Sequence, residues 1–589
     1  MSTEKKIYRI LDGLSPSEGK LTNIPREPNG LLNCHFNVRG QIEKRKGFSK
    51  YNTTSLGSGH EISGLHRFYK RDESKEFLCA WNTNLYKMAE TSPHAGTKLL
   101  SKAATEKVVT SDSDTYFCTF KDHCYIANGA EDFMKYGGTY VRDVGMTVPI
   151  APTYSSQTDG DLEAGEYKFI ITYVDEDGYE SDGGAESAAM TADTHPNDGL
   201  IIVIPCSSDD KVTKRRIYRT KVDAATFYYD GEVANNTTTS YTSTISDSAI
   251  GLKTELHTDH DAPVSAPDLV SKRRARLAVS KDEETSLSHL PSTGQEYFPL
   301  SIRFPTGNMQ NVTGLTEQLT TFQILTKDSL ERLSGIDEGN FEFKNSFIGE
   351  GCIATRSLVQ AENILIYLGY DGIYYYDGTT GTKLDRLLSQ YIYENINPTY
   401  AHLACATYFE DKYILSYPKG ANTVNSETVY YNFRTRTSGV HSFGFSCFSK
   451  WDKGGDGLQL YSGSTTIGQL YKVFNGLDDD GAAIAMSDTT LPMDFGKPDI
   501  WKNYYNIYVK VKTTTGTSLT MYYTLDDGSE TSCTAQTLVA NKERWYKFNV
   551  GSTGNRARAI SLRAYSSDKY DRTIMGYGIV YNEEEAEWS

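Results

Sequence analysis

Two acidic turns and one pair of histidines are the residues of this sequence whose types and spacing could bind a metal ion. The acidic turns are DEDG at residues 175–178 and DDDG at residues 478–481. Clustered carboxylates bind Ca²⁺, but neither turn completes the D-x-D-x-D-G loop with its distant glutamate. Because Asp-Gly is a strong hairpin-turn signal, both are predicted to be plain turns.

The histidine pair is His257 and His260, whose spacing occurs in zinc sites. The pair lies where a linker between two domains is expected, so we interpret it as incidental. The nine cysteines are an odd number and form no C-x-x-C pair, which argues against a disulfide framework or a zinc cluster. The sequence therefore predicts no metal site and no cofactor.

Catalytic motifs are equally scarce. The sequence contains no G-x-S-x-G, H-E-x-x-H or phosphate-binding loop. It also lacks the S-x-D-x-G-x-x-W turn of sialidases and a recognisable carboxylate pair for glycoside hydrolysis. We therefore predict that the protein is not an enzyme, and a glycosidase or depolymerase is the weaker alternative.

Two groups of cations interrupt an otherwise acidic chain. The first comprises Arg39, Lys44, Arg45 and Lys46. It is predicted either to form a short strand between the Gly40 and Gly47 turns that joins the last blade of a propeller and closes its ring, or to contact an acidic partner during assembly. The second group is a basic patch of Lys272, Arg273, Arg274 and Arg276. These cations would form a solvated face or interdomain salt bridges, or would bind DNA or a partner.

Length and charge limit the function classes. At 589 residues the chain should hold about three or four domains of roughly 100–200 residues each. Its net charge of −16 would repel nucleic acid and anionic lipid at long range. No apolar signal core and no run of ~18 apolar residues is present, so we expect a soluble protein made in a reducing cytoplasm.

The elements that must position these residues are predicted to be strands. Aromatic residues make up 12% of the chain and tyrosine occurs 42 times, which favours β structure. A strand, an Asp or Gly turn and a strand ending in tyrosine recur about every 40–50 residues, the period of propeller blades. The fold class is therefore predicted to be all-β, a β-propeller with six or seven blades, and residues 383–396 form the exceptional helix.

Two regions depart from this period and set the domain boundaries. Residues 151–255 hold about seven short strands and are predicted to be an inserted fibronectin-like β-sandwich. Residues 489–589 contain longer alternating strands and are predicted to be a C-terminal β-sandwich. Residues 1–150 would then form an N-terminal arm with the first blades, and residues 256–488 the remaining blades.

The N-terminal pattern also resembles a known family. Asn33, Asn37, Gly40, Ile42, Lys44, Arg45, Gly47 and Phe48 stand in a spacing that is similar to the tail-nozzle, or packaged-DNA stabilisation, proteins of short-tailed bacteriophages. The likeness continues through residues 278–290, 312–335 and 366–378. Residues 212–220 are similar to sandwich inserts of phage tail proteins.

The resemblance implies a structural virion protein located in the phage tail and assembled in the host cytoplasm. It implies a homo-oligomeric ring, commonly a hexamer, which retains packaged DNA and is the conduit for its ejection. The implied partners are the portal–adaptor ring, tail fibre or needle proteins, and double-stranded DNA that passes through the lumen without specific binding. An acidic lumen suits this role, because it lets the duplex slide.

The alternative is a tail-associated receptor- or glycan-binding protein. Trp501, Trp545 and Tyr565 in the C-terminal region could stack on sugars. Their alternation with polar residues equally fits side chains that pack in the core of a sandwich. The exposure of the three rings would separate these interpretations.

Overall fold

The computed structural model describes residues 6–11, 26–194, 198–290, 294–452, 457–551 and 555–584. Strands account for 47% of the chain and helices for 5%, which confirms the prediction of an all-β protein. The predicted helix is present as Arg386–Asn395, and the Asp385 side chain caps it by accepting a hydrogen bond from the Leu388 amide. Short 3-10 turns lie at Pro28–Gly30, Leu300–Ile302, Glu338–Asn340, Thr355–Ser357 and Ala401–Leu403.

Five short strands form the N-terminal part of the chain. They are β1 (Lys6–Leu11), β2 (Leu31–Leu32), β3 (Cys34–Phe36), β4 (Ile42–Lys44) and β5 (Phe48–Lys50). Two antiparallel groups of four strands follow. Group one is β6 (Ile62–Tyr69), β7 (Lys75–Trp81), β8 (Asn84–Met88) and β9 (Gly96–Lys98); group two is β10 (Tyr116–Phe120), β11 (His123–Ala127), β12 (Met134–Tyr136) and β13 (Val141–Asp143).

An inserted region separates group two from the next group. Its strands are β14 (Thr153–Thr158), β15 (Gly165–Tyr167), β16 (Phe169–Asp175), β17 (Met190–Ala192), β18 (Gly199–Val203), β19 (Val212–Arg219), β20 (Tyr228–Val233) and β21 (Ser240–Ser243), followed by helix α1 (Asp247–Ile250). They pair as β14-β18-β21, β16-β19-β20 and β15-β17. Tyr167, Phe169, Ile171, Leu200 and Ile217 are fully buried in one core, so the insert has its own apolar interior.

Five further groups of antiparallel strands follow the insert. Group three is β22 (Leu269–Arg273), β23 (Arg276–Lys281), β24 (Glu284–Leu287) and β25 (Arg303–Pro305); group four is β26 (Gly314–Gln318), β27 (Thr321–Leu325), β28 (Ser329–Ser334) and β29 (Glu342–Ile348). Group five is β30 (Val359–Ala361), β31 (Ile364–Gly369), β32 (Gly372–Tyr376) and β33 (Gly381–Lys383), followed by helix α2 (Arg386–Asn395); group six is β34 (Cys405–Phe409), β35 (Lys412–Tyr417), β36 (Glu427–Asn432) and β37 (Thr437–His441). Group seven takes β38 (Phe448–Asp452), β39 (Leu458–Gly463) and β40 (Leu470–Val473) from this part of the chain and β5 from the N-terminus.

Tight turns join the strands within groups. The pairs Lys121-Asp122 and Glu410-Asp411 each connect two strands through two residues with positive φ, at 48° and 62° and at 48° and 59°. Consecutive positive φ values are typical of a type I′ turn, whose twist matches that of the flanking strands. These turns fix the register so that alternate side chains face neighbouring groups.

Most neighbouring groups contact each other through their first strands. First strands lie side by side from β6 to β10, β10 to β22, β22 to β26, β30 to β34 and β34 to β38, and β38 lies beside β6. Apolar side chains fill the space between groups. Groups three and four, for example, share a buried core that includes Leu269, Ala278, Leu287, Phe322, Ile324 and Leu333.

The C-terminal region packs two sheets face to face. Its strands are β41 (Ile484–Thr489), β42 (Lys502–Lys512), β43 (Ser518–Leu525), β44 (Thr531–Ser532), β45 (Gln536–Thr537), β46 (Arg544–Asn549), β47 (Arg556–Ala557), β48 (Ile560–Asp568) and β49 (Thr573–Glu583). One sheet runs β3-β4-β49-β42-β46, with β1 also beside β49 and β47 beside β42; the other runs β41-β48-β43-β44 and continues through β2 into group six. Their inner faces bury Ile507, Val509, Met521, Leu562 and Ile579 in one core.

The N-terminal strands therefore serve two regions. The strand predicted within residues 40–48 is β4, and it pairs with β3 and the C-terminal strand β49 rather than with the last group. The next strand, β5, pairs with β40 and completes group seven. The residue alternation revealed a closing strand but placed it too early in the chain. No helix in the described residues is long and apolar enough to cross a membrane.

Candidate functional site

A small cavity lies where the first strands of six groups meet the 3-10 turn that precedes group five. Its volume is about 280 Å³, and its lining includes Gly64, Tyr116, Leu269, Leu315, Arg356, Cys405 and Phe448. At roughly 30 Å³ per water molecule, it has room for about nine waters. A cavity of this size can hold a small polar ligand but not a nucleic acid.

Arg356 crosses this axial cavity. It belongs to the 3-10 turn before group five, and its Nη2 lies 2.9 Å from Asp114 Oδ1 at the start of group two. Its guanidinium also donates to the carbonyl oxygen of Ser63 in group one and, at 3.2 Å, to that of Ser446 before group seven. One buried side chain thus connects four of the seven groups.

Charges near Arg356 are strongly perturbed. Burial is the largest single influence and disfavours the Arg356 charge, but Asp114 and several weaker neighbours, Glu61 among them, together outweigh it and raise the pKa of the guanidinium. Burial raises the pKa of Glu61 to about 7, Arg356 opposes this, and the negative charges of Asp114 and Asp112 reinforce it. A carboxyl group that titrates near neutrality beside a fixed cation is the kind of group that serves as a general acid or base. The search for sequence motifs missed this group, because Glu61, Asp114 and Arg356 lie far apart along the chain.

Lys44 and Arg45 lie within the protein. Arg45 is 2% exposed and donates two hydrogen bonds to Asp479, of 2.7 and 2.6 Å, and a third to Asn33 Oδ1. Its guanidinium lies 4.6 Å from the centre of the Phe443 ring. Lys44 Nζ lies 2.7 Å from Asp568 Oδ1 in the C-terminal region. Both cations are used in intrachain contacts, so neither is available to an acidic partner.

Gly47, two residues after Arg45, lies against the backbone of Asp478. A Cβ atom on Gly47 would lie 1.7 Å from the backbone oxygen of Asp478. The close approach lets Phe48 N–H donate to that same oxygen at 3.1 Å and places Asp479 opposite Arg45. Residues 44–48 therefore join the C-terminal region to group seven; we call residues 28–50 the N-terminal strap.

The other two cations of the first group are at the surface. Arg39 and Lys46 are exposed. In the described part of the chain no ion pair is formed by either side chain. The structure therefore separates the four predicted contact residues into two that hold the chain together and two that face solvent.

The basic patch is divided in the same way. Arg273 and Arg276 are buried, and their guanidinium groups lie 4.7 and 5.6 Å from the centre of the Phe341 ring. Arg276 also donates to the carbonyl oxygen of Ser288 at 2.8 Å. Lys272 and Arg274 alternate with them on the exposed face. The four cations do not form one continuous surface, because the strand and its turn direct them to opposite sides.

The first acidic turn has a further role. Glu176 and Asp177 form the turn as predicted, and both also bind Arg142 of group two. Lys135, buried in the same group, lies 3.0 Å from Asp177 and 2.6 Å from Glu296. The carboxylates of the turn therefore dock the insert onto group two, a role that an isolated Asp-Gly signal does not reveal.

The three aromatic residues of the C-terminal region are not buried in its core. Trp501 is half-buried, with the guanidinium groups of Arg556 and Arg558 at 4.5 and 5.0 Å from its ring centre. Tyr565 is also half-buried and faces Arg563 at 5.4 Å. Trp545 is 40% exposed. The interpretation of these rings as core packing is wrong, because Trp545 and Tyr565 lie on the outer faces of β46 and β48, and Trp501 lies half-buried just before β42.

Comparisons with known proteins give weak matches only to solved structures. No protein-family model matches the chain, and no curated protein sequence does. The exo-beta-1,3-galactanase of Phanerochaete chrysosporium with galactose is 8% identical over 84% of this chain and 100% of its own, with a TM-score of 0.18. The extracellular domain of a hybrid two-component system protein from B. thetaiotaomicron is 10% identical over 71% of this chain and 51% of its own, with a TM-score of 0.24.

These matches correct one prediction. The absence of catalytic motifs led us to exclude an enzyme, but solved structures that align with more than four fifths of the chain are those of a galactanase. The prediction that the protein is not an enzyme therefore does not stand. Identities of 8–9% and TM-scores of 0.16–0.18 assign neither that activity nor that substrate to this chain.

Proposed function

We propose that this protein is a structural subunit of the tail nozzle of a short-tailed phage, in which it forms a homo-oligomeric ring, commonly a hexamer. In this proposal the seven groups are the blades of a β-propeller that β5 closes. Residues 151–255 are an inserted fibronectin-like sandwich and residues 489–589 a C-terminal sandwich. The sequence resemblance in the N-terminal strap, residues 28–50, motivates the assignment.

The observation that carries the proposal is how the charged residues of the strap are used. Arg45 binds Asp479 and Lys44 binds Asp568, so that one short segment connects the last blade and the C-terminal sandwich. Arg572 shares Asp568 with Lys44 at 2.8 Å. Buried, multiply bonded charges of this kind fix relative positions at a cost in desolvation. Such a construction suits a part that must keep its shape under the load of packaged DNA.

The axial cavity adds a geometric constraint. A space of about 280 Å³ that Arg356 crosses cannot pass a duplex, whose major groove alone is about 12 Å wide. In this proposal the conduit lies between subunits, along the axis of the oligomer. The net charge of −16 per chain would prevent tight binding of the DNA in a shared lumen.

The test is to image the purified chain by negative-stain electron microscopy, alone and mixed with the portal–adaptor complex of the same virus. We expect a ring with a central channel in the mixture, and the adaptor supplies the template if the chain alone is monomeric. If the chain stays monomeric and does not bind the adaptor, the proposal is refuted.

A second candidate function is glycan binding, and the exposure of Trp545 favours it. An indole ring that is 40% exposed on a strand can stack on a sugar ring. Trp501 is a matched control, because Arg556 and Arg558 already occupy its surroundings. Binding to host cells that W545A abolishes and W501A retains would support this function, and equal binding by both variants would exclude it.

A further inference from the structure

We propose that His257, Asp259 and His260 form a binding site for a divalent transition-metal ion of the zinc class. One ligand atom from each of these residues lies within 4.8 Å of the other two. Two imidazoles and a carboxylate are ligands that Zn²⁺ and its neighbours accept. Bond lengths of ~2.0–2.1 Å on a tetrahedral ion place ligand atoms roughly 3.3 Å apart. His257 and Asp259 are exposed, so side-chain rotation can close the remaining gap.

A further layer of residues orients the carboxylate ligand. His289, from the loop after β24, places Nε2 3.0 Å from Asp259 Oδ2. Its other nitrogen, Nδ1, lies 3.2 Å from Glu338 Oε1 in the 3-10 turn that follows group four's third strand. Metal ligands in proteins are generally held by such a second set of hydrogen bonds. Glu338, His289 and Asp259 form a chain of this kind that leads from the 3-10 turn to the proposed metal position.

The local electrostatics favour a cation. A cavity of about 760 Å³ is lined by the three proposed ligands together with Arg276, His289, Asp337 and Glu338. Three carboxylates thus face one arginine.

The position of the site suggests what the metal does. The three ligands lie between helix α1 and strand β22, in the segment that returns the chain from the insert to group three. His289 and Glu338 belong to groups three and four. A bound ion would hold this segment against both groups and restrict the insert. The sequence alone did not indicate this, because His289 and Glu338 are distant from the histidine pair along the chain.

The experiment uses the full-length protein, freed of metal by a chelator and then titrated with Zn²⁺ in a calorimeter and with Co²⁺ in a spectrophotometer. We expect one equivalent of Zn²⁺ per chain and a visible Co²⁺ absorption band. H257A and D259N should each weaken Zn²⁺ binding by at least tenfold, and H289A by about 10–100-fold, as for other residues that orient ligands. H402A removes an exposed histidine from an unrelated turn and should bind like the wild type.

A second measurement tests whether the bound metal restrains the backbone of the segment that carries the ligands. Zn²⁺ should slow protease cleavage within residues 251–268 of the wild type and leave cleavage of H257A unchanged. H257A removes an exposed side chain, so its melting temperature without metal should match that of the wild type. Zn²⁺ binding of equal strength in wild type and H257A, or no Co²⁺ band in the wild type, would overturn the proposal.

Discussion

The Arg45–Asp479 ion pair gives the sharpest prediction about how the strap holds the protein together. Arg45 is 2% exposed, whereas the Asp479 side chain is 16% exposed. Removing one partner of a buried ion pair costs about 3–5 kcal/mol, because the other charge is left without compensation. Asp479 can regain some water, so the lower value, about 3 kcal/mol, applies to R45A.

This energy should appear locally, where β5 pairs with β40. A loss of about 3 kcal/mol corresponds to amide hydrogen exchange that is about 100-fold faster in these strands. The assay is hydrogen–deuterium exchange followed by mass spectrometry of peptides that cover β5 and β40. Peptides from the insert, which has its own core, should exchange at the wild-type rate.

Lys50 supplies the matched control. Its ion pair with Asp480 has nearly the same sequence position, but the two side chains are 48% and 33% exposed. Solvent screens exposed pairs of this kind, so K50A should change exchange by less than about fivefold. In a double-mutant cycle, R45A/D479A should be less destabilised than the sum of the single variants. Equal and small effects of R45A and K50A would show that the strap is not held by its buried charge.

Three further predictions concern the axial cavity and the surface cations. Burial and neighbouring carboxylates raise the Glu61 pKa from 4.5 to about 7, so the folded state binds more protons than the unfolded state between these values and loses stability as pH rises through them. E61Q should therefore melt at a higher temperature than the wild type at pH 8 and at a similar temperature at pH 5; a constant difference at all pH values would contradict this pKa. Replacing Arg356 with methionine leaves Asp114 and two carbonyl oxygens without their buried donor, and should lower stability by about 3–5 kcal/mol, measured as a drop in melting temperature; a drop no larger than that of K50A would contradict the connecting role of Arg356. Reversing the exposed charges in R39E/K46E should reduce assembly onto the adaptor ring, measured by co-sedimentation, without changing the melting temperature, whereas K272E/R274E should assemble normally; a loss of assembly in both would indicate a general charge effect.

The strands were predictable because their signals are local. Residues 361–384 alternate apolar and polar side chains around an Asp-Gly pair, and they form the meander of β31, β32 and β33. Helix α2 follows from the spacing of its leucines and isoleucines and from the cap at Asp385. In both cases the information lies within about 25 residues.

The partners of charged residues were not predictable. Arg45 and Asp479 are separated by 434 positions, and Arg356 binds groups one and two from group five. Nothing in the alternation of one strand specifies which distant loop will face it. The burial of Arg273 and Arg276 likewise depends on a contact with Phe341, which belongs to group four.

The route of the N-terminal strap has a consequence for biosynthesis. The strap is synthesised well before its strand partners β40 and β49 and its ion-pair partner Asp568. At ~5–20 residues per second, synthesis of residues 51–583 takes roughly half a minute to two minutes, during which these contacts cannot form. A chain that stops early lacks β49 and cannot bury β4. Synthesis of β49 is thus a checkpoint, since the strap can be secured only in a chain that already extends through this strand.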